Sequence, residues 1–255
     1  MALSVHSLKG GVGKSVIAIS LAKILASRGH QVLFVDKDIA GYASYLAGID
    51  GPGLIESLIS PMSMDVMREV YTENGGIAIL KYPGDGPRYG VDLEIIHRDS
   101  ELKERWRKYC NIFLSGKKYS FFILDNPPAV IPDEEIKYMT KQVRVGLSQI
   151  SMKCIVVSDS IADTISNSVT YAKLLASKGY EILAFVINMI KPYDMLSYRS
   201  RIEEIMLELN CKLGVLIAFQ EELFQFSGEI KDFPVPQQLE EFVSKMERGE
   251  SGIIT

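Results

Sequence analysis

The chain has 255 residues, 47% of them hydrophobic and 24% charged, with a formal net charge of −4. Those values suit one α/β unit with a large core and exclude a disordered or fibrous chain; the acidic balance leaves any nucleic-acid contact to a local basic patch. Cys110, Cys154 and Cys211, like His6, His30 and His97, stand too far apart for a disulfide framework, a CxxC pair or a zinc set, which suits a reducing cytosol. No apolar run is long enough to span a membrane. Met1 passes almost directly into an apolar strand, leaving no room for a secretory signal.

In chain order, that first apolar run ends at Leu8 and meets a glycine-rich turn, KGGVGKS, at residues 9 to 15. Lys14 and Ser15 open a segment to Ala26 that is apolar nearly all round, as in a helix packed deep on a sheet. Strand, glycine turn and helix N-terminus in that order make a phosphate site. Amides freed by Gly10, Gly11 and Gly13 can turn inward, Lys14 can reach the outer phosphates, and the Ser15 hydroxyl can ligate Mg²⁺. Leu8 stands where the common phosphate loop has its first glycine, and an additional lysine, Lys9, precedes Gly10.

This pattern resembles the deviant Walker A motif of the ParA/MinD family of ATPases, whose members dimerise around two ATP molecules. The resemblance implies that Lys9 crosses to the partner's nucleotide. It also implies that Lys9, Gly10, Gly11, Val12, Gly13, Lys14, Ser15 and Val16 surround the phosphates of ATP, with Mg²⁺ beside them. Gln31–Asp36 reads as a buried parallel strand completing a right-handed βαβ unit, and Asp36 and Asp38 follow at its carboxyl end. The same DxD spacing occurs in the family, where the second aspartate orients the attacking water; Asp38 inherits that catalytic role, beside Lys9 and Lys14, and Asp36 a supporting one.

Residues 40 to 72 read as short helices broken at Gly51-Pro52-Gly53 and Pro61, and Ile77–Leu80 as a third strand leading into a Pro/Gly-rich loop that carries Arg88. Residues 99 to 115 look helical, with Lys103, Arg105, Arg107 and Lys108 around Trp106; such a cluster is either a nucleic-acid or partner surface or a solvated face. Tyr119–Pro128 is an apolar strand ending in Asp125 and then a double proline. That is the form of a Walker B segment, in which Asp125 holds Mg²⁺ opposite Ser15. The Asp-x-Pro-Pro run resembles the ParA branch in particular.

Pro132–Leu147 reads as a helix taking up extra length before the next strand, Cys154–Ser158. A helix over 161 to 178, a strand over Ile182–Asn188, a helix after Tyr193-Asp194 and a last strand over Lys212–Ile217 follow. Asn188 falls where the family carries the asparagine that hydrogen-bonds adenine. Where the family often has a proline lining that pocket, this chain reads Ile217-Ala218-Phe219. The final helix, from Pro236 to Met246, and its tail lack the basic face with which the MinD branch anchors to membranes.

The expected fold is a single P-loop domain over residues 1–255, a doubly wound α/β sandwich with a mostly parallel sheet of about seven or eight strands. The resemblance implies a cytoplasmic, nucleoid-associated Mg-ATPase that forms an ATP-bridged homodimer. It would act in chromosome or plasmid segregation by nonspecific binding of double-stranded DNA, with a small DNA-binding partner stimulating hydrolysis. Two alternatives stay open: MinD-like positioning of a membrane or division machinery, and an ATP-switched protein acting on another protein. An iron–sulfur carrier on this scaffold would need a CxxC, which is absent.

Overall fold

The structure is a computed structural model that describes residues 1–60, 65–84, 88–115, 119–131, 152–224 and 226–255, with the side chains of residues 114 and 115 left aside. The helix expected over Pro132–Leu147 lies outside the described residues. A nine-stranded sheet organises the rest: β1 (Ala2–His6), β2 (Gln31–Asp36), β3 (Met67–Tyr71), β4 (Gly76–Lys81), β5 (Phe121–Asp125), β6 (Met152–Ser158), β7 (Glu181–Ile190), β8 (Leu213–Ala218) and β9 (Gly252–Ile254). Their order across the sheet is β3-β4-β2-β5-β1-β6-β7-β8-β9, and every neighbouring pair is parallel except β3 with β4.

The sheet has nine strands where about seven or eight were expected, and the two not singled out in the sequence, β3 and β9, each have a physical reason for escaping notice. β3 is an edge strand, half exposed and carrying Arg68 and Glu69, so its segment MREVY lacks the apolar signature of the central strands. It replaces part of the run of short helices expected over residues 40 to 72. β9 is three residues long and exists only because β8 offers an open edge to pair with.

The central strands are apolar on both faces because helices cover both. Within β2, Val32 and Phe34 point to one layer and Leu33 and Val35 to the other. The first layer holds α1 (Lys14–Ser27) and the C-terminal helix Gln237–Arg248; α1 is apolar nearly all round, with ten buried residues, because it packs between sheet and that helix. The second layer holds α2–α5 only in part: α2 (Tyr42–Leu46) sits with the first layer, while α3 (Leu54–Ile59), α4 (Tyr89–Arg98) and α5 (Ser100–Ser115) cover β2, β4 and β5 from the other side. Beside them, α6 (Ala162–Ser177) and α7 (Arg199–Leu209) cover β6, β7 and β8. A short helix α8 (Glu221–Phe224) and α9 (Gln237–Arg248) complete the described helices, apart from 3₁₀ turns at Pro192–Tyr198 and Ile230–Asp232.

β1 lies at the centre of this order, with β5 on one side and β6 on the other. The chain therefore leaves β1 at a point where connections run to both halves of the sheet, the position at which open α/β sheets form their ligand crevice.

Candidate active site

The carboxyl ends of β1, β2, β5, β7 and β8 surround a cavity of about 340 Å³. The glycine turn after β1 forms its floor. Gly11 and Gly13 adopt φ of +77° and +86°, the left-handed region that glycine enters without a Cβ penalty. A Cβ on Gly13 would lie 2.2 Å from Asn188 Nδ2, so the turn closes against β7 only because that position is bare. The carbonyl of Gly13 accepts the first helical bond of α1, from Ile17 N at 3.0 Å, which aims the helix N-terminus at the cavity.

At one end of the cavity the charges converge. Lys14 Nζ lies 2.5 Å from Asp125 Oδ1, 2.9 Å from Asp38 Oδ2 and 3.4 Å from Ser15 Oγ. Burial works against the Lys14 charge, but Asp125 and Asp38 outweigh it and hold the ammonium above its ordinary range. Asp36 and Asp125 are register partners at the ends of β2 and β5, and both are fully buried. Burial, followed by the facing Asp125 charge, pushes the Asp36 carboxyl up to about 7, against hydrogen bonds to its Oδ2 from Ser44 N (2.9 Å) and Ser44 Oγ (2.7 Å). Asp36 thus anchors α2, whereas Asp38 reaches into the cavity and caps its own loop through Ala40 N at 3.0 Å.

The opposite end is apolar. Met189, Ala218, Phe219, Leu223, Phe224 and Phe226 line it, with Tyr42 across the gap. Phe219 and Phe224 pair at 6.0 Å between centroids, and Phe224 is 70% exposed. Asn188 stands where the two ends meet: its Nδ2 donates to the Val12 carbonyl at 3.0 Å, which leaves its Oδ1 as an acceptor.

The residues fit a hard cation held jointly with phosphate oxygens. Asp125 Oδ2 is buried without a hydrogen-bond partner among the described residues, and Ser15 lines the cavity beside it. One carboxylate and one hydroxyl suit Mg²⁺, an ion that keeps few protein ligands and takes the rest from phosphate and water.

The nucleotide-binding domain model of the CobQ/CobB/MinD/ParA family matches residues 3–227. The chain belongs to that family. A curated relative, the chromosome partitioning protein ParA of Caulobacter vibrioides, is 29% identical over 131 residues, covering 50% of this chain and 48% of the relative; the chain thus aligns with about half the length of the curated relatives it matches. Among solved structures, the MinC:MinD cell division complex of Aquifex aeolicus aligns with a TM-score of 0.60 at 17% identity, over 98% of this chain and 96% of that one. The MinD protein of Pyrococcus horikoshii, solved with Mg-ADP, aligns with a TM-score of 0.53 at 18% identity, over 97% and 91% of the two chains. At these identities the structural likeness concerns the fold.

Within this ParA/MinD-family chain, the residues singled out from sequence distribute as follows. Gly10, Gly11, Gly13, Lys14, Ser15, Val16, Asp38 and Asn188 line the cavity, and Asp125 lies directly beneath it on Lys14. Val12 is buried and contributes its carbonyl to Asn188. Lys9 stands outside the lining with its side chain 53% exposed and its Nζ 3.0 Å from Asp159 Oδ2. Arg88 pairs with Asp92 at 3.4 Å on α4 and does not line the cavity. On α5 the aromatic parts from the basic residues: Trp106 is buried and donates to Tyr82 Oη at 2.9 Å, while Arg105, Arg107 and Lys108 are exposed, Arg107 facing Glu104 at 3.5 Å. Sequence reasoning missed Asp159, whose signal was its place one residue beyond β6, and the aromatic wall, which no local pattern announces.

Proposed function

We propose that this chain is a Mg-ATPase of the ParA type that dimerises around ATP and separates after hydrolysis. The observation that carries it is Lys14 bridging two strand-end carboxylates inside a glycine loop, with Lys9 free to leave the rim. In this reading the loop amides and Lys14 hold the phosphates, and Ser15 and Asp125 hold Mg²⁺, which when bound neutralises charge on the phosphate oxygens. Asp38, displaced from Lys14 by the phosphates, orients the attacking water. The Asn188 Oδ1 acceptor matches the amino group of adenine, and Phe219 and Phe224 offer the base an aromatic wall.

Lys9 supplies charge to the second copy's nucleotide. Its pair with Asp159 is half exposed, and such pairs contribute about 1 kcal/mol or less, so a phosphate in trans outcompetes it readily. An added cation at the transferring phosphoryl group contributes roughly 10³-fold in other nucleotide hydrolases. Lys9→Ala should therefore slow turnover by about that factor and abolish the ATP-dependent dimer, with ADP affinity within about twofold of the parent. Steady-state hydrolysis and light scattering with ATP and ADP test this; a Lys9→Ala protein that turns over at the parent rate would sink it.

The working surface we propose is double-stranded DNA, on the strength of the partitioning relatives and the Asp-x-Pro-Pro turn, with a small DNA-binding protein as stimulator. Membrane positioning has less support: α9 spends its apolar stripe, Leu239, Phe242, Val243 and Met246, on the core against α1. Among the described residues no helix is long and apolar enough to cross a membrane. Co-sedimentation with DNA and, separately, with anionic liposomes, in ATP, ADP or neither, decides between them. DNA binding that needs ATP and weakens steeply with salt supports segregation; binding to neither points to a protein target.

A further inference from the structure

Behind the cavity floor runs a file of buried polar groups that phosphate binding does not use. His6 closes β1, fully buried, with Nε2 2.8 Å from Ser4 Oγ and Nδ1 3.2 Å from Tyr171 Oη. Tyr171, buried on α6, donates its hydroxyl to the Val130 carbonyl. At the other end, Asn126 Nδ2 donates to Ser4 Oγ and to the Val5 carbonyl, both at 2.9 Å.

These contacts admit one assignment of hydrogens. A carbonyl only accepts, so the single Tyr171 hydrogen goes to Val130. His6 Nδ1 must then donate to the Tyr171 oxygen. A neutral ring leaves Nε2 to accept from the Ser4 hydroxyl, whose oxygen accepts from Asn126. The His6 environment keeps the ring in that form: burial, with Lys14 and Lys37 nearby, lowers its pKa to about 3.

Both ends of the file land on one segment. Asn126 follows Asp125, Val130 lies four residues further on, and Pro127, Pro128 and Ala129 arch between them. Pro128 lines the cavity. Ala129 holds φ at +57°, a left-handed conformation that disfavours any residue with a Cβ, and its amide donates to the Ser7 carbonyl at 2.8 Å. An arch with two prolines and a left-handed alanine needs external ties to keep one shape.

We propose that Tyr171 is a positioning residue for the 125–130 segment: through His6 and Ser4 it ties Val130 to Asn126 and so sets Pro128 and Asp125 against the phosphate end of the cavity. This rests on the ATPase assignment for its catalytic consequence, but not for its structural one. Any displacement of Val130 is also carried to α6, because the same hydroxyl holds both.

The test is Tyr171→Phe, which deletes one oxygen and keeps the ring. Amide hydrogen exchange in the nucleotide-free protein should rise about tenfold at Ala129, Val130 and Ile131, with β1 and β5 amides unchanged. Ser4→Ala, at the other link, should loosen the same amides, and the double variant should loosen them no further than the more affected single one. With ATP, Tyr171→Phe should lower kcat about tenfold with KM within about twofold, the mark of a misplaced group rather than lost binding. Unchanged exchange at 129–131, or additive effects in the double variant, would overturn the proposal. A parent protein without ATPase activity would defeat the proposed function while the exchange arm still decided on Tyr171.

Discussion

The two ends of the cavity are built on different principles. At the charged end, Lys14, Asp38, Asp36 and Asp125 are buried or nearly so, and the ammonium is bonded to two carboxylates at once. At the apolar end, Phe219 and Phe224 are exposed and pair with their rings tilted at 51°, 6.0 Å between centroids, with one amide, Asn188, as the polar group beside them. Buried charges tolerate no substitution because each leaves its partner uncompensated, whereas an aromatic wall tolerates many shapes. The bonded charges therefore make one end rigid, while the other leaves room for side chains of different shape.

The sharpest way to break this contrast is to remove Lys14. Lys14→Ala should lower nucleotide affinity by at least about 100-fold and, by stranding Asp125, destabilise the protein by about 3–5 kcal/mol, read by titration with a fluorescent nucleotide and by urea unfolding. A variant that unfolds at the parent's urea midpoint would mean the carboxylates do not depend on the lysine.

A smaller effect probes the buried floor on which the charged end rests. Unfolded His6 takes up a proton near its ordinary pKa of 6.5, but the folded ring stays neutral down to about 3. Its contribution is thus fully present above pH 6.5 and is lost as pH falls toward 3. Between pH 7 and pH 5 that loss amounts to about 2 kcal/mol. In His6→Gln the drop in unfolding free energy over the same interval should be smaller by that amount; an identical drop would show that the folded ring titrates normally.

The smallest effect belongs to the apolar end. Phe224→Ala should weaken ATP binding about fivefold, on the order of 1 kcal/mol, while leaving inorganic triphosphate binding unchanged. Isothermal titration with both ligands checks it. Equal losses for the two would erase the distinction between the ends.

How much of this was legible beforehand follows from sequence separation. The glycine turn could be read outright, since a strand end, a bare turn and a helix start are consecutive in the chain and each has a compositional signature. Asp38 and Asp125 were legible as strand-end carboxylates, and their meeting on Lys14 follows once β2, β5 and β1 are neighbours. Trp106 misled, because an aromatic among basic residues looks exposed until the helix phase buries it under Tyr82. β3 and β9 were missed because an edge strand is defined by the partner it finds, and neither carries an apolar run long enough to announce itself.

Sequence alone determined the glycine turn with its lysine at a strand-to-helix junction and the α/β class, because both depend on local backbone form and on the apolar periodicity of single elements. Only the tertiary structure decided what Lys9 touches, how Asn188 is turned, which aromatics wall the cavity, and that His6 and Tyr171, 165 residues apart, share a hydrogen bond. Those contacts lie between strand ends and helices whose adjacency is set by the order of the whole sheet, and that order arises from burying every apolar face at once rather than from any one stretch of residues.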